Sequence, residues 1–377
     1  MEPNTDFPSQ KPPLACSEVE GMLPYSAPLE GRRLLLRLDF NENTIGPSPK
    51  VIEAIKNISS EQISIYPEYD GLQEAVSQNL NASGLSHLLT PKEVGLFNGV
   101  DAAIHSIFYA YGDKKKKFLT TQPTFGYYQP CASMQGMETI QIPYEGNRFS
   151  FPFNKIYQSL IKHNPKILII CNPNNPTGTH LSPTKIIELA KISPQTLIVI
   201  DELYEAFLGK SVLSTINFKA VPNIVVLRSL SKTSGLAGLR IGFAIAHHEV
   251  IDRIYRVTGP YDVNSFAVTA AFAALKDQAY IDDYVAKVLK AREWIKDQLE
   301  SHNIKHHLEA GNYFLLWPNR SVNSVESSLK SSGILVRSMA NKPLLNGSLR
   351  VSIGTTSQMK SFWKAYLQAD DIKALNE

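Results

Sequence analysis

Cysteine is scarce in this chain. The three that occur among 377 residues, Cys16, Cys131 and Cys171, are too few and too scattered for a disulfide framework or a zinc site. They fit a reducing compartment. Long apolar runs are missing as well. No stretch approaches the ~18 consecutive apolar residues of a membrane helix, so no membrane partner is expected. Residues 1–11 are polar and contain proline. They lack both the apolar core of a signal peptide and the Arg-rich pattern of a transit peptide. Residues 1–20 read as a flexible leader, and the protein as cytoplasmic. An excess of one charge is also absent: 38 Lys+Arg against 35 Asp+Glu leave a formal charge of +3. A dedicated nucleic-acid binder concentrates Lys and Arg on one face, so no nucleic-acid partner is expected. No Gly-rich loop ends in Gly-Lys-Ser/Thr, which speaks against an ATP or GTP site of that type. The pairs His247-His248 and His306-His307 lack i, i+4 spacing and clustered carboxylates, so no metal is expected.

What is present is a large α/β pattern. Hydrophobic residues make up 43% of the chain, which excludes a disordered protein, and 21 Gly with 23 Pro excludes a fibrous one. The length corresponds to two or three units of about 150 residues. Short aliphatic runs at 94–97, 118–121, 167–171, 197–200, 224–227 and 241–246 read as buried strands. Helical spacing fills 101–110, 153–161 and 183–191 between them. Such alternation implies a mostly parallel central sheet with helices on both faces. In that architecture ligands bind beyond the carboxyl ends of the strands. After about residue 265 long helices and short strands follow, read as a smaller α+β unit. The expected organisation is a large domain over 60–265 and a small one from 21–59 and 266–377.

Four motifs stand at those strand ends. Asn172-Pro173-Asn174-Asn175-Pro176-Thr177-Gly178 forms a stiff, irregular loop whose Asn side chains can donate to a ligand oxygen. Asp201-Glu202-Leu203-Tyr204 puts a carboxylate in the crevice, where it needs a cation or a donor. Taken alone, Asp201 reads equally well as a helix N-cap. The run from Ser229 to Arg240 sets Lys232 among Ser229, Ser231 and Arg240. Hydroxyls and a guanidinium suit a dianionic phosphate, and a lysine beside them can condense with an aldehyde. A solvated Lys in a Ser/Gly loop is the plainer reading of Lys232 by itself. Asn98-Gly99-Val100-Asp101 places free N–H groups of a helix start beside a glycine, although such junctions are common. Together the motifs point to a ligand with an aldehyde, a ring nitrogen, a ring hydroxyl and a phosphate: pyridoxal 5′-phosphate (PLP). Asp201 would keep its pyridinium protonated. Asn175 and Tyr204 would bond the ring oxygen, and Phe125 would stack on the ring or simply fill the core.

The order of these motifs resembles the class I/II aminotransferases of PLP fold type I, over about residues 23 to 367. Leu38-Asp39-Phe40-Asn41-Glu42-Asn43, Gly46-Pro47-Ser48-Pro49, Tyr66-Pro67 with Asp70-Gly71, Ala237-Gly238-Leu239-Arg240 and Leu349-Arg350-Val351-Ser352 narrow it to the histidinol-phosphate aminotransferase branch. That resemblance implies a Schiff base on Lys232, which then moves the proton. It implies a phosphate cradle of Ser229, Ser231, Arg240 and the backbone of Gly99, Val100 and Asp101. Tyr66 would reach the phosphate of a neighbouring subunit, making a homodimer with shared sites. Arg350 would anchor the substrate carboxylate, Arg337 would help hold the substrate phosphate and Tyr25 would close the site, while Asn312 either lines it or, the plainer reading, simply occupies a turn. The implied reaction moves an amino group between glutamate and imidazole-acetol phosphate, a step of histidine biosynthesis. Phe125 stands where the branch usually has Tyr, Ala102 follows Asp101 where an acidic residue is common, and Tyr261-Asp262-Val263-Asn264 varies the usual loop. Those departures keep open an aromatic amino acid transaminase or an amino-acid-phosphate decarboxylase on the same scaffold. A non-catalytic PLP-sensing regulator would carry an additional DNA-binding helical unit, for which the roughly 20 residues before Met22 are too few.

Overall fold

The structure is a computed structural model that describes residues 12–24 and 30–372. Its centre is a seven-stranded sheet. From one edge to the other the strands are Val94–Phe97, Gly242–Ala246, Ile224–Ser229, Leu197–Asp201, Ile167–Cys171, Lys117–Gln122 and Glu138–Pro143. All neighbours pair in parallel except Gly242–Ala246, which runs antiparallel to both of its partners. Six strands lie where the aliphatic runs predict them. The seventh, Glu138–Pro143, is an edge strand with only partly buried side chains, so it lacks the continuous apolar run of a central strand.

Alternation along the strands creates two apolar layers. Ile167, Ile169, Leu197, Val199, Val225 and Leu227 face one core. Leu168, Ile170, Ile198, Ile200, Ile224 and Val226 face the other. A third core gathers the helices Gln278–Ser301, Val322–Ser331 and Thr356–Ala369 onto a four-stranded antiparallel sheet. Leu36–Arg37 pairs in parallel with Ile334–Leu335, so the N-terminal side of the chain is sewn to this C-terminal unit.

Two details depart from the expected boundaries. The helix Pro49–Lys56 and the helix Ser265–Leu275 pack on each other, and Val51, Ala267, Ala270, Ala271 and Ala274 join the core of the large sheet. Small alanines on the second helix allow that close approach, whereas the sequence reading places both segments in the small unit. Within residues 1–20, read as a loose leader, Ser17–Glu20 forms a short helix against Tyr128–Met134, and Glu18 pairs with Lys114.

The loop after Ile167–Cys171 joins the two units. Tyr313 Oη donates to the Asn174 carbonyl at 2.7 Å. Gly178 adopts φ +77°, and a Cβ there would stand 2.4 Å from the Ala310 carbonyl oxygen. Both the left-handed backbone and a backbone clash oppose any larger residue. Gly178→Ala is therefore expected to lower unfolding stability by about 2 kcal/mol, as read by urea denaturation.

Candidate active site

The two apolar layers end in different chemistry. The layer of Ile167, Leu197 and Val225 continues at the carboxyl ends into Cys171, Asp201 and Ser229. These residues line one cavity with Val100, Asp101, Phe125, Asn175, Tyr204, Ser231, Lys232 and Arg240. The folding of a parallel sheet thus delivers residues from five separate loops to one crevice.

Asp201 is 3% exposed. One carboxylate oxygen accepts from the Tyr128 hydroxyl and the other from the Leu203 N–H at 3.3 Å. Among the described residues no basic side chain forms an ion pair with it. Burial pushes its pKa up to about 6, against the pull of Tyr128 and Leu203. The Leu203 bond is cap-like, yet only the 3₁₀ turn Glu205–Phe207 follows, so Asp201 caps no α-helix.

Across the cavity, Lys232 Nζ donates to the Phe40 carbonyl at 3.0 Å. Burial, reinforced by the charge of Arg350, pushes the ammonium down to about 8. Near neutral pH the free amine, the form that attacks carbonyls, is then far more populated than for an ordinary lysine.

Tyr204 is buried beside Tyr313, edge to face at 5.0 Å. Its hydroxyl oxygen accepts from Asn41 Nδ2 at 3.2 Å and from Asn175 Nδ2 at 3.3 Å. Both bonds use its oxygen, which leaves its proton to donate. Arg350 is 9% exposed and donates to Asn175 Oδ1 at 2.7 Å and to the Asp39 carbonyl. Among the described residues its Nε is buried without a partner.

An anion cradle occupies the other end. The helix Gly99–Tyr111 starts in the cavity wall with no side-chain cap, so its first N–H groups are unsatisfied. Gly99 has φ +75°, and a Cβ there would lie 2.5 Å from the Arg240 guanidinium. Arg240 donates to Asp101 Oδ2 at 2.6 Å and to the Ala237 carbonyl at 3.2 Å. Ser229 Oγ donates to Ser231 Oγ at 2.9 Å and accepts from the Ser231 N–H at 3.0 Å.

Not every sequence candidate joins this group. Tyr66 is 71% exposed, stacks on Tyr261 at 4.0 Å and does not line the cavity of its own chain. Arg337 is the cross-strand neighbour of Arg350 and lies 5.7 Å from the Phe40 ring centre. Asn312 is fully buried and donates to the Asn41 carbonyl at 3.2 Å, a bracing role. Tyr25 lies outside the described residues. Conversely, Tyr128 and Asn41 bond Asp201 and Tyr204 but were not singled out as site residues by the motifs. Tyr128 stands 73 residues from its partner and Asn41 163. Only the fold brings them together.

A lysine amine facing a buried carboxylate, with an anion cradle beside them at the carboxyl edge of a parallel sheet, is an enzyme's layout. The family model described as aminotransferase class I and II matches residues 34–365. Over 352 residues the chain is 32% identical to a histidinol-phosphate aminotransferase of Acinetobacter baylyi, covering 90% of this chain and 93% of that one. Over 347 residues it is 33% identical to one of Geotalea daltonii, covering 91% and 95%. Its fold is similar to histidinol-phosphate aminotransferase from Sinorhizobium meliloti, solved in complex with pyridoxal-5′-phosphate. That match has a TM-score of 0.79, 22% identity, and coverage of 90% and 92%. The chain belongs to the class I and II aminotransferase family.

Asp201 makes the ligand-free site costly. Its folded pKa of about 6 exceeds the ordinary 3.8, so the folded state holds a proton that the unfolded state releases between these values. Stability is therefore lost as pH rises from about 4 to 6. Ligand-free Asp201→Asn is expected to be roughly 3 kcal/mol more stable than the parent at pH 7, with the gain vanishing below about pH 4. Urea unfolding across that range checks it; equal stabilities at pH 7 would contradict the cost.

Proposed function

We propose that the chain is a PLP-dependent aminotransferase that moves an amino group between glutamate and imidazole-acetol phosphate, forming histidinol phosphate. The observation that carries this reading is Asp201, a buried carboxylate in no ion pair among the described residues, sharing with Lys232 a cavity that ends in an anion cradle. The donor set fits PLP at each end. A protonated ring nitrogen supplies the cation Asp201 lacks. Ser229, Ser231, Arg240 and the uncapped N–H groups from Gly99 to Asp101 suit its phosphate. Asn175 and Tyr204 suit its ring oxygen, and Phe125 one ring face. When bound, PLP supplies an aldehyde for condensation with a primary amine and a pyridinium that accepts the electron pair released at the substrate Cα.

The protein groups do the rest. Lys232, depressed to about 8, offers a free amine to bind the cofactor and, once displaced by substrate, a base within the cavity to take the Cα proton and return it. Asp201 keeps the proton on the ring nitrogen. Tyr204, fixed by Asn41 and Asn175, orients the ring through its own proton. Arg350 retains an unpartnered N–H for a substrate carboxylate. Arg337, one strand over and in no ion pair among the described residues, offers a second guanidinium for a distal phosphate or carboxylate. Tyr66 completes the phosphate site of a second subunit in a cytoplasmic homodimer. The exposed Ile63, Ile65, Tyr66 and Tyr261 supply an apolar face for that contact.

The test loads the protein with PLP and mixes it with single amino donors while the near-visible band is followed. Histidinol phosphate and glutamate are expected to discharge the band. Discharge by phenylalanine but not histidinol phosphate would overturn the substrate, and release of carbon dioxide would assign a decarboxylase. Arg337→Ala is expected to lose tenfold or more in kcat/KM for histidinol phosphate, the size of one lost charge-assisted contact. Its reaction with an uncharged amino acid should stay unchanged.

A further inference from the structure

The layer of the sheet that faces away from the cofactor crevice ends in a buried ion pair. Along Leu197–Asp201 the side chains Ile198 and Ile200 are followed on that face by Glu202, and along Ile224–Ser229 Ile224 and Val226 are followed by Arg228. The side chain of Glu202 is 0% exposed and that of Arg228 14%. Arg228 Nη2 stands 3.3 Å from Glu202 Oε2 and donates to Ser211 Oγ at 2.9 Å, while Nη1 pairs with Glu205. Glu202 also accepts from Ser211 Oγ at 2.6 Å and from the Val212 N–H at 2.7 Å. The Glu202 N–H donates to the Leu227 carbonyl at 3.1 Å, the last bond between the two strands.

Each member of the pair is therefore the chain neighbour of a cofactor-facing residue: Glu202 follows Asp201, and Arg228 precedes Ser229. Burying such a pair in an apolar layer brings little net stability, and apolar side chains of similar size would pack there at least as well. What an ion pair adds is a fixed distance between two strand ends. We propose that Glu202 and Arg228 are positioning residues that clamp these strand ends so that Asp201 meets the cofactor ring and Ser229 its phosphate. The proposal rests on the PLP reading above. Asp101, Lys232, Tyr128 and Cys171 also face Asp201, and none of them touches the pair.

The test measures PLP affinity by equilibrium titration and the pH midpoint of the bound cofactor's near-visible absorption. Glu202→Gln is expected to weaken PLP binding tenfold or more. It should also lower the midpoint by about half a unit or more, since a carboxylate held further from the ring favours the protonated cofactor less. Ser211→Ala, a milder cut in the same network, should weaken binding about threefold. The double variant Glu202→Met with Arg228→Met should regain the parent's melting temperature while keeping weak binding and the lowered midpoint. If the double variant regains affinity and midpoint as well, the pair serves stability alone and the proposal fails. It fails equally if Ser211→Ala and a folded Glu202→Gln both match the parent. A parent that does not bind PLP defeats the functional reading itself; a parent that binds beside unchanged variants defeats only this one.

Discussion

A carboxylate sealed from water, in no ion pair among the described residues, is the constraint around which this molecule is arranged. Asp201 stands at the end of a fully buried strand; among the described residues a phenol and a backbone N–H bond it, and the Lys232 charge acts on it without forming an ion pair. Hydrogen bonds of that kind soften the cost of burial but do not cancel it. A fold selected for stability alone would place an apolar residue or an amide there. The carboxylate makes sense when its partner is a cation that arrives with a ligand. The nearby lysine, depressed by burial, and the uncapped helix start fit the same ligand. Three local features, each costly by itself, thus fit one and the same ligand.

Holding those imperfections in place falls to residues far apart in sequence. The segment around Asp39 to Asn41 is stitched to both units at once. Phe40 and Asp39 offer carbonyls to Lys232 and Arg350, while Asn41 bonds Tyr204 and exchanges hydrogen bonds with Ser352. On the sheet, alternation assigns one face to the cavity lined by Cys171, Asp201 and Ser229 and the other to the Glu202–Arg228 pair. The large sheet therefore presents the chemistry, and the junction with the smaller unit closes over it.

Much of this is legible in the sequence. Buried parallel strands announce themselves as continuous aliphatic runs, and the loops that follow them carried Asn175, Asp201, Ser229, Lys232 and Arg240, which the structure gathers around one cavity. The edge strand Glu138–Pro143 escaped because half-exposed side chains leave no such run. The helix His248–Tyr255 escaped because, although Val250, Ile251, Ile254 and Tyr255 hold helical spacing, eight residues span only about two turns. Tyr128 escaped for another reason: its importance is a contact with Asp201, and no local pattern encodes a partner 73 residues away. The same holds for the packing of Pro49–Lys56 on Ser265–Leu275, which moves both helices to the core of the large sheet.

The central claim is that Asp201 exists to keep a bound cofactor ring protonated. The most direct measurement is the nitrogen-15 chemical shift of PLP labelled at its ring nitrogen and bound to the protein at pH 8. The account predicts a protonated nitrogen in the parent chain and a neutral one in Asp201→Asn. A neutral ring nitrogen in the parent, or the same protonation state in both proteins, would contradict it.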